Sequence, residues 1–326
     1  MASDELVSVV MPAYNHEKFV GQAIESVINQ TYGPIELLII DDGSSDRTWD
    51  IIRGLQPACE KRFRRVIFKR QENRGTCLTL NRLLDDISGR YVTSISSDDL
   101  MAPALVEESL FFLEENSDYG VVYFDAGLID EQSQNICWNQ KRDTVEDPEG
   151  AEYSTIAGYL RKRRPDVDFL SPDFGSYESL LKGNYIPTAP FHRRELLEKT
   201  GFYKEAAPLE DWYMAIQMAK YARSKFIDKP LRSYRWHPSN TARITERMRA
   251  MTQATLRYEI NQVQASGDEA ALARLHRCFR RTKTIFGGDK IRLYKTKSFD
   301  GKKIVLKIMS SEFAFTYKSG RSLSLS

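Results

Sequence analysis

Apolar and polar positions along the first 125 residues follow a pattern that predicts strands separated by helices. Apolar residues recur at helical spacing from Phe19 to Ile28, and a helix around Leu78–Leu84 is expected to end near Gly89. Strands joined through helices form a mainly parallel sheet covered on both faces, so we predict a doubly wound α/β fold. Apolar, β-branched runs predict its buried strands at 7–11, 36–40, 66–69, 91–95 and 121–124.

Polar loops follow three of these strands. Residues 13–15 follow the first strand, 41–46 follow the second, and 96–99 follow the fourth. Ligands of open α/β sheets bind beyond the carboxyl ends of the strands. We therefore expect the three loops to converge on one rim of the sheet.

The pattern weakens in the second half of the chain. Residues 141–176 are charged, contain proline and show no clear period, which predicts a long excursion or a flexible lid. Helices are predicted at 194–200 and from Trp212 onwards, and residues 241–285 also look helical. A basic tail follows them.

Composition narrows the class of protein. The 326 residues are 41% hydrophobic and 28% charged, which excludes a disordered or fibrous chain. The four cysteines form no CxxC pair, which argues against a zinc ribbon and favours a reducing compartment. The acidic N-terminus lacks the features of a signal peptide, and no apolar run approaches the roughly 20 residues that span a bilayer. We expect a cytoplasmic protein, or one that lies peripherally on the inner face of the membrane.

The net charge of +2 hides an asymmetry along the chain. Residues 276–307 carry eleven Lys or Arg and two Asp or Glu, a balance of +9, so the remaining residues carry −7. The protein is therefore not expected to bind nucleic acid. The basic stretch predicts contact with an anionic membrane, and a solvated basic surface is an equally weighted alternative.

Two common nucleotide-binding motifs are absent from the sequence. It contains neither G-x-G-x-x-G after the first strand nor G-x-x-x-x-G-K-[ST], so bound phosphates would need a divalent cation held by oxygen ligands. Asp98 and Asp99, which follow the fourth strand, can supply such ligands to Mg2+ or Mn2+. Alternatively, Asp99 caps a helix that starts near Ala102, although a cap does not explain two adjacent acids that repel each other.

Other polar residues have two possible roles each. Asp42 can accept a hydrogen bond from a nucleotide, or it can form a turn with a helix cap. Glu210 and Asp211 precede a predicted helix, where a carboxylate can act as a general base or as a cap. His237 can complete a metal shell, although a lone histidine is more often a surface or packing residue. Only that second interpretation is given to His16, His192 and His276.

The order of these motifs resembles that of glycosyltransferase family 2. Residues 7–15 (VSVVMPAYN), 26–32 (SVINQTY) and 36–46 strongly resemble the start of inverting family members with the GT-A fold. Further motifs arrive in the family's order, namely Asn73-Arg74-Gly75, Ser96-Ser97-Asp98-Asp99, Glu210-Asp211-Trp212 and Tyr234-Arg235-Trp236-His237. The resemblance covers residues 6–240, and nothing is recognised beyond residue 245.

The resemblance implies inverting transfer from a nucleotide-diphosphate sugar, with uracil as the expected base. By analogy Asp211 is the base that takes the acceptor proton, and Glu210 helps to position it. Asp98 and Asp99 hold the ribose and a Mg2+ or Mn2+ ion, with His237 near the metal or the diphosphate. The other implied donor-binding residues are Pro12, Ala13 and Tyr14 around the base, Asp42 at the uracil or ribose, and Asn73, Arg74 and Ser97.

One departure from the family pattern concerns the metal motif. The family's usual Asp-x-Asp begins at a position that Ser96 occupies here, and a hydroxyl cannot carry the missing charge. Whether Asp98 or Asp99 binds the metal therefore stays open at this point.

The resemblance also divides the chain. We expect a GT-A domain at 1–240, with a nucleotide-binding part at about 1–125 and an acceptor part at about 126–240, followed by a helical, basic extension at 241–326. The expected activity is metal-dependent hexosyl transfer to a saccharide or lipid-linked oligosaccharide acceptor in surface polysaccharide synthesis.

Two other functions are weighed against this one. A sugar-nucleotide nucleotidyltransferase should carry a Gly-rich, Arg-containing loop after the first strand, where this chain has Pro12-Ala13-Tyr14-Asn15. A non-catalytic sugar-nucleotide binder is suggested by Ser96. That function predicts no effect of Asp211→Asn, whereas a transferase would lose turnover.

Overall fold

The computed structural model describes residues 4–145 and 151–285, together with the backbone of three strands between 292 and 316. The strands are β1 (Val7–Ala13), β2 (Ile35–Asp41), β3 (Arg65–Arg70), β4 (Tyr91–Ser94), β5 (Leu100–Met101), β6 (Tyr119–Ile129), β7 (Cys137–Trp138), β8 (Thr144–Val145), β9 (Phe191–Arg193), β10 (Arg223–Arg235), β11 (Arg292–Ser298), β12 (Gly301–Ile308) and β13 (Ser311–Thr316). The helices are α1 (Val20–Ile28), α2 (Thr48–Arg62), α3 (Thr76–Asp85), α4 (Leu105–Glu115), α5 (Ile156–Arg163), α6 (Tyr177–Leu180), α7 (Glu195–Thr200), α8 (Glu210–Met218), α9 (Thr245–Ser266) and α10 (Glu269–Ile285), with a short 3-10 helix at Thr241–Arg243.

Eight strands form the central sheet in the order β3-β2-β1-β4-β9-β6-β10-β5. The pairs β2–β3, β1–β2, β1–β4 and β6–β10 are parallel, while β9 and β5 pair in the antiparallel sense. All seven residues of β2 are buried, as expected of a parallel strand with helices on both faces. The predicted mainly parallel α/β fold is confirmed.

The strand register brings the predicted loops together. Ala13 at the end of β1 lies opposite Asp41 at the end of β2, and Val10 lies opposite Ser94 at the end of β4. The loops that follow these three strands therefore leave the sheet at one edge, where a parallel sheet places its ligands.

Two large hydrophobic clusters support this sheet. One packs α1, α2 and α4 against the first strands, and the other joins β6 to the helices of the second half of the chain. Phe169 and Phe174 belong to the second cluster, with the Phe174 ring 5.9 Å from Tyr123 and 5.2 Å from Phe226. This part of the predicted excursion is thus packed into the core and is not a free lid.

The C-terminal extension is helical only in its first part. Helices α9 and α10 confirm the prediction for residues 245–285, and Leu256 and Leu275 are buried in the same cluster as Trp212. Strands β11, β12 and β13 then form an antiparallel sheet, so the prediction of a helical extension is wrong at 292–298, 301–308 and 311–316. Most side chains of the basic stretch 276–307 lie outside the described residues. The membrane contact predicted for that stretch therefore lies outside them too.

Within the part of the chain that the structure describes, no helix is long and apolar enough to cross a bilayer.

Gly89 has a different role from the predicted helix cap. Helix α3 already ends at Asp85, and the Gly89 N–H donates to Ser8 Oγ and to Glu36 Oε1, both at 3.0 Å. A Cβ atom at this position would lie 2.6 Å from Ser8 Oγ and 2.7 Å from the Leu6 carbonyl oxygen. The close approach of β1 therefore requires glycine at this position.

We expect Gly89→Ala to lower the free energy of unfolding by about 1–3 kcal/mol, because the methyl group overpacks a site bounded by backbone. Gly54→Ala is the matched control, since nothing lies within 4 Å of the Cβ position on the exposed face of α2. Removing that helical glycine should raise the free energy by about 0.5–1 kcal/mol. Urea denaturation of both variants measures the difference, and equal effects would contradict this explanation of Gly89.

Candidate active site

A cleft of about 680 Å³ opens at the carboxyl edge of the sheet. Its volume lies in the range of small-molecule sites. Among the predicted residues, its lining includes Pro12, Ala13, Tyr14, Asp42, Arg74, Ser97, Asp98, Asp99, Glu210 and Asp211. Segments that are far apart in the sequence therefore meet in one cleft, while Asn73 and His237 do not line it directly.

Asp42 fixes the loop between β3 and α3. Its carboxylate accepts hydrogen bonds from the backbone N–H groups of Arg74 at 2.9 Å and Gly75 at 2.8 Å, and from Gln71 Nε2 at 2.7 Å. It does not cap α2, because Asp46 accepts from the Thr48 N–H at the start of that helix. The 41–46 loop thus does supply the start of α2 with a capping carboxylate, but from Asp46, while Asp42 and Arg74 line the cleft together.

Arg235 holds the loop that carries Asp98 and Asp99. It is fully buried, and its Nε donates to the Asp98 carbonyl oxygen at 2.7 Å. Its backbone N–H donates to Asp99 Oδ1 at 2.9 Å, while the guanidinium also reaches the Asp130 carbonyl oxygen and Gln22 Oε1. Because α4 begins only at Leu105, Asp99 does not cap that helix.

Asp98 lies beside two imidazoles. Its Oδ2 is 3.0 Å from His237 Nε2 and 3.7 Å from His16 Nε2. His16 Nδ1 lies 2.8 Å from Ser97 Oγ, and His237 Nδ1 lies 2.8 Å from Ser239 Oγ. Both rings therefore present Nε2 to the same carboxylate oxygen. The sequence interpretation of His16 as a surface or packing residue missed this cluster, although its place directly after the 13–15 loop was a usable signal.

The charge states of this cluster follow from its surroundings. Burial acts to raise the pKa of Asp98, but the hydrogen bond with His237 and the charges of both imidazoles outweigh it and lower that pKa. Burial and the adjacent charge of Asp98 raise the pKa of Asp99 well above its usual range. Burial also lowers the pKa of His16. An ionised carboxylate with a neutral imidazole fits a divalent cation.

Glu210 and Asp211 stand in the first turn of α8, and neither side chain caps that helix. Burial and the charge of Asp211 raise the pKa of Glu210 to about 8. Desolvation by the surrounding cleft walls also raises the pKa of Asp211, although its side chain stays accessible from the cleft, and the charge of Arg232 opposes that shift. Carboxyl groups with raised pKa values in a cleft are suited to accepting a proton near neutral pH.

Another part of the cleft lining comes from the segment after residue 240, which we call the 241–251 wall. It consists of Thr241, Ala242, Arg247, Met248 and Met251, from the 3-10 helix and the first turns of α9. Sequence reasoning missed these residues because the recognised motifs end before them. The cleft thus extends beyond the recognised stretch of chain.

Comparison with known proteins concerns mainly the first half of the chain. Residues 8–164 match the family model for glycosyl transferase family 2. An uncharacterized glycosyltransferase of Haemophilus influenzae is 38% identical over 111 residues, which are 34% of this chain and 43% of that protein. The Escherichia coli UDP-Glc:alpha-D-GlcNAc-diphosphoundecaprenol beta-1,3-glucosyltransferase WfaP is 34% identical over 110 residues, 34% of this chain and 42% of that protein. The chain matches less than half the length of both curated relatives.

Solved structures with a similar fold are much more distant in sequence. The mannosyltransferase PcManGT from Pyrobaculum calidifontis, in complex with GDP-Man and Mn2+, has a TM-score of 0.57 at 16% identity, covering 87% of this chain and 76% of that one. Residues 1–349 of S. aureus TarS, in complex with UDP-GlcNAc, have a TM-score of 0.52 at 16% identity, covering 96% and 99%. These likenesses show the fold.

The raised pKa of Glu210 predicts a pH dependence of stability. Between about pH 4.5 and pH 8 the folded protein holds a proton that the unfolded chain has lost, so the free energy of unfolding should fall as pH rises through that window. Glu210→Gln removes this titration and should reduce the decline. The exposed Glu115→Gln is the control and should leave the decline in place. Urea denaturation at several pH values measures it, and parallel curves for wild type and Glu210→Gln would contradict the prediction.

Proposed function

We propose that the chain is a member of glycosyltransferase family 2, whose model matches residues 8–164, and that it transfers a hexosyl group with inversion from a nucleotide-diphosphate sugar to an acceptor hydroxyl. The likeness of its fold to solved glycosyltransferase structures supports this proposal. One observation carries the proposal: Asp42, Asp98 and Asp211 come from three distant segments and line one cleft at the carboxyl edge of the sheet. That cleft combines groups for nucleotide binding, cation binding and proton transfer.

The donor is proposed to bind along the β1 and β2 loops. Pro12, Ala13 and Tyr14 would frame the base, and Tyr14 is 47% exposed and free to pack on it. Asp42, held by the N–H groups of the Asn73–Gly75 loop, would accept a hydrogen bond from the base or ribose. The donors in the names of WfaP and of the TarS complex favour uridine, and GDP-Man in the PcManGT complex makes guanosine the alternative to test.

Proton transfer is proposed for the carboxyl pair on α8. Asp211 would take the proton from the acceptor hydroxyl as that oxygen attacks the anomeric carbon, and Glu210 would position it. Asp98 and His237 would hold a divalent cation, which when bound supplies positive charge to the departing diphosphate. Because Asp99 Oδ1 already accepts from Arg235, Asp98 is the better candidate for the cation and Asp99 for the ribose. Ser97 would act beside it through its contact with His16.

The acceptor is proposed to lie against the 241–251 wall. Arg247 can pair with a phosphate, while Met248 and Met251 offer apolar contact, a combination that fits a lipid-linked oligosaccharide. This supports a role in surface polysaccharide synthesis, with peripheral membrane contact through the basic stretch 276–307. We also propose a domain at 1–240 and an extension at 241–326. Helix α9 would belong to the extension and would also line the cleft of the domain.

The alternative function, a non-catalytic sugar-nucleotide binder, differs from the transferase in one measurable respect. It needs the donor-binding loops but not the carboxyl pair on α8. Turnover and donor binding must therefore be measured separately on the same variant.

We expect Asp211→Asn to reduce kcat by about 10²–10⁴-fold, since an amide cannot accept the proton. Donor affinity should stay within about threefold, because Asp211 would touch the acceptor. Release of nucleoside diphosphate from a panel of UDP- and GDP-sugars with Mn2+ measures turnover, and calorimetry measures binding. The exposed Asp85→Asn is the matched control and should retain full activity. Unchanged turnover in Asp211→Asn would exclude the proposed base.

A further inference from the structure

The side-chain cluster of His16, Asp98 and His237 carries information about the cation itself. One ligand atom from each residue lies within 4.8 Å of the other two. Two of the three donors are imidazole nitrogens, and Ser96 stands where the family's usual motif begins with an acid. The chemistry of this set therefore differs from that of a carboxylate pair.

Hydrogen bonds orient both imidazoles toward Asp98. When Nδ1–H donates to the hydroxyl of Ser97 or Ser239, each 2.8 Å away, Nε2 keeps its lone pair. Metal-binding histidines are commonly held in this way by an acceptor at the second ring nitrogen. His237 Nε2 lies 3.0 Å from Asp98 Oδ2, to which an Nε2–H donates, and 3.0 Å from the Asn240 amide nitrogen. A bound ion would take the place of both contacts, with the ring proton then on Nδ1 and donated to Ser239 Oγ.

The loop that carries His16 is fixed by other contacts. The His16 N–H donates to Thr48 Oγ1 at 2.8 Å, at the start of α2. The ring of Phe19 lies 4.8 Å from the ring of His237, which joins the loop to the segment after β10. The imidazole is thus held in place without requiring an ion, and little ordering free energy would oppose binding.

We infer that His16 takes the place of the missing carboxylate as a third protein ligand, and that the site selects a transition ion such as Mn2+ or Co2+ over Mg2+. Imidazole suits transition ions, whereas Mg2+ prefers oxygen ligands and retains its waters. The inference rests on the proposed function, since three protein ligands leave the remaining positions to the donor diphosphate.

Binding of the metal alone tests this inference. Calorimetric titration of the full chain with Mn2+ and with Mg2+ should show tighter binding of Mn2+, and His16→Ala should weaken Mn2+ binding by about tenfold or more. Nitrogen modulation in the electron spin echo of bound Mn2+ should report two imidazoles in the wild type and one in the variant. His276→Ala, on α10, removes a histidine away from the cleft and should change neither measurement.

A compensating variant makes the test sharper. Adding Ser96→Asp to His16→Ala supplies the absent carboxylate. The double variant should therefore bind Mg2+ more tightly than the wild type does, and the ratio of its affinities for Mn2+ and Mg2+ should be smaller. Thermal unfolding without metal checks that the variants are folded. If His16→Ala is unfolded, His16→Asn and Ser97→Ala take its place, and both should weaken Mn2+ binding.

Two outcomes would overturn the inference: Mn2+ binding to the folded His16 variants as tight as to the wild type, or equal affinity of the wild type for Mn2+ and Mg2+. Neither outcome would contradict the proposed role of Asp211 as the base, which is tested separately by the turnover of Asp211→Asn. Conversely, His16→Ala could lose Mn2+ binding while the wild type turns over none of the sugar nucleotides. That result would support the metal site and contradict the proposed transferase activity. The two failures are thus distinguishable.

Discussion

The guanidinium of Arg235 is buried completely in the region where α1, the Ser96–Asp99 loop and the end of β6 meet. A cation removed from water must be matched by acceptors, and here carbonyl oxygens of Asp98 and Asp130 and the Gln22 amide supply them. Leaving a buried donor without its acceptor typically costs about 1–3 kcal/mol, and more when the donor is charged. The position of Asp98 therefore follows from this packing and does not depend on a bound ion. His237 is two residues further along the chain, so one segment delivers both the guanidinium and an imidazole.

The sheet region was largely predictable because its strands are buried on both faces. Short runs rich in apolar and β-branched residues mark β1, β2 and β4, and their predicted bounds agree with the structure to within two residues. The second half was harder to predict, since Phe169 and Phe174 become buried only through contacts with strands far away in the sequence. Local pattern likewise missed the strands after residue 292. Gly89 was noticed for its conformational freedom, whereas the structure requires it for its small size.

The candidate site was predictable where polar residues follow strands of a parallel sheet. Asp42 and Asp98 stand out for that reason, and Asp211 by its place at a helix start. The position of His16 directly after the 13–15 loop predicts that it lies at the rim, but its contact with Asp98 and its proximity to His237 are visible only in the structure. The cleft-lining residues from Thr241 to Met251 match no sequence motif, since apolar and basic side chains on a helix have no distinctive spacing.

The link between α8 and α9 also bears on where this protein can be divided. The N–H of Leu209, directly before the carboxyl pair, donates to the buried Thr255 Oγ1 at 3.0 Å, and Glu259 accepts from Gln217 and Lys220. A fragment ending at residue 240 would keep every recognisable motif and yet lose the hydroxyl that holds the start of α8. Chimeras between relatives would therefore need to move α8 and α9 together.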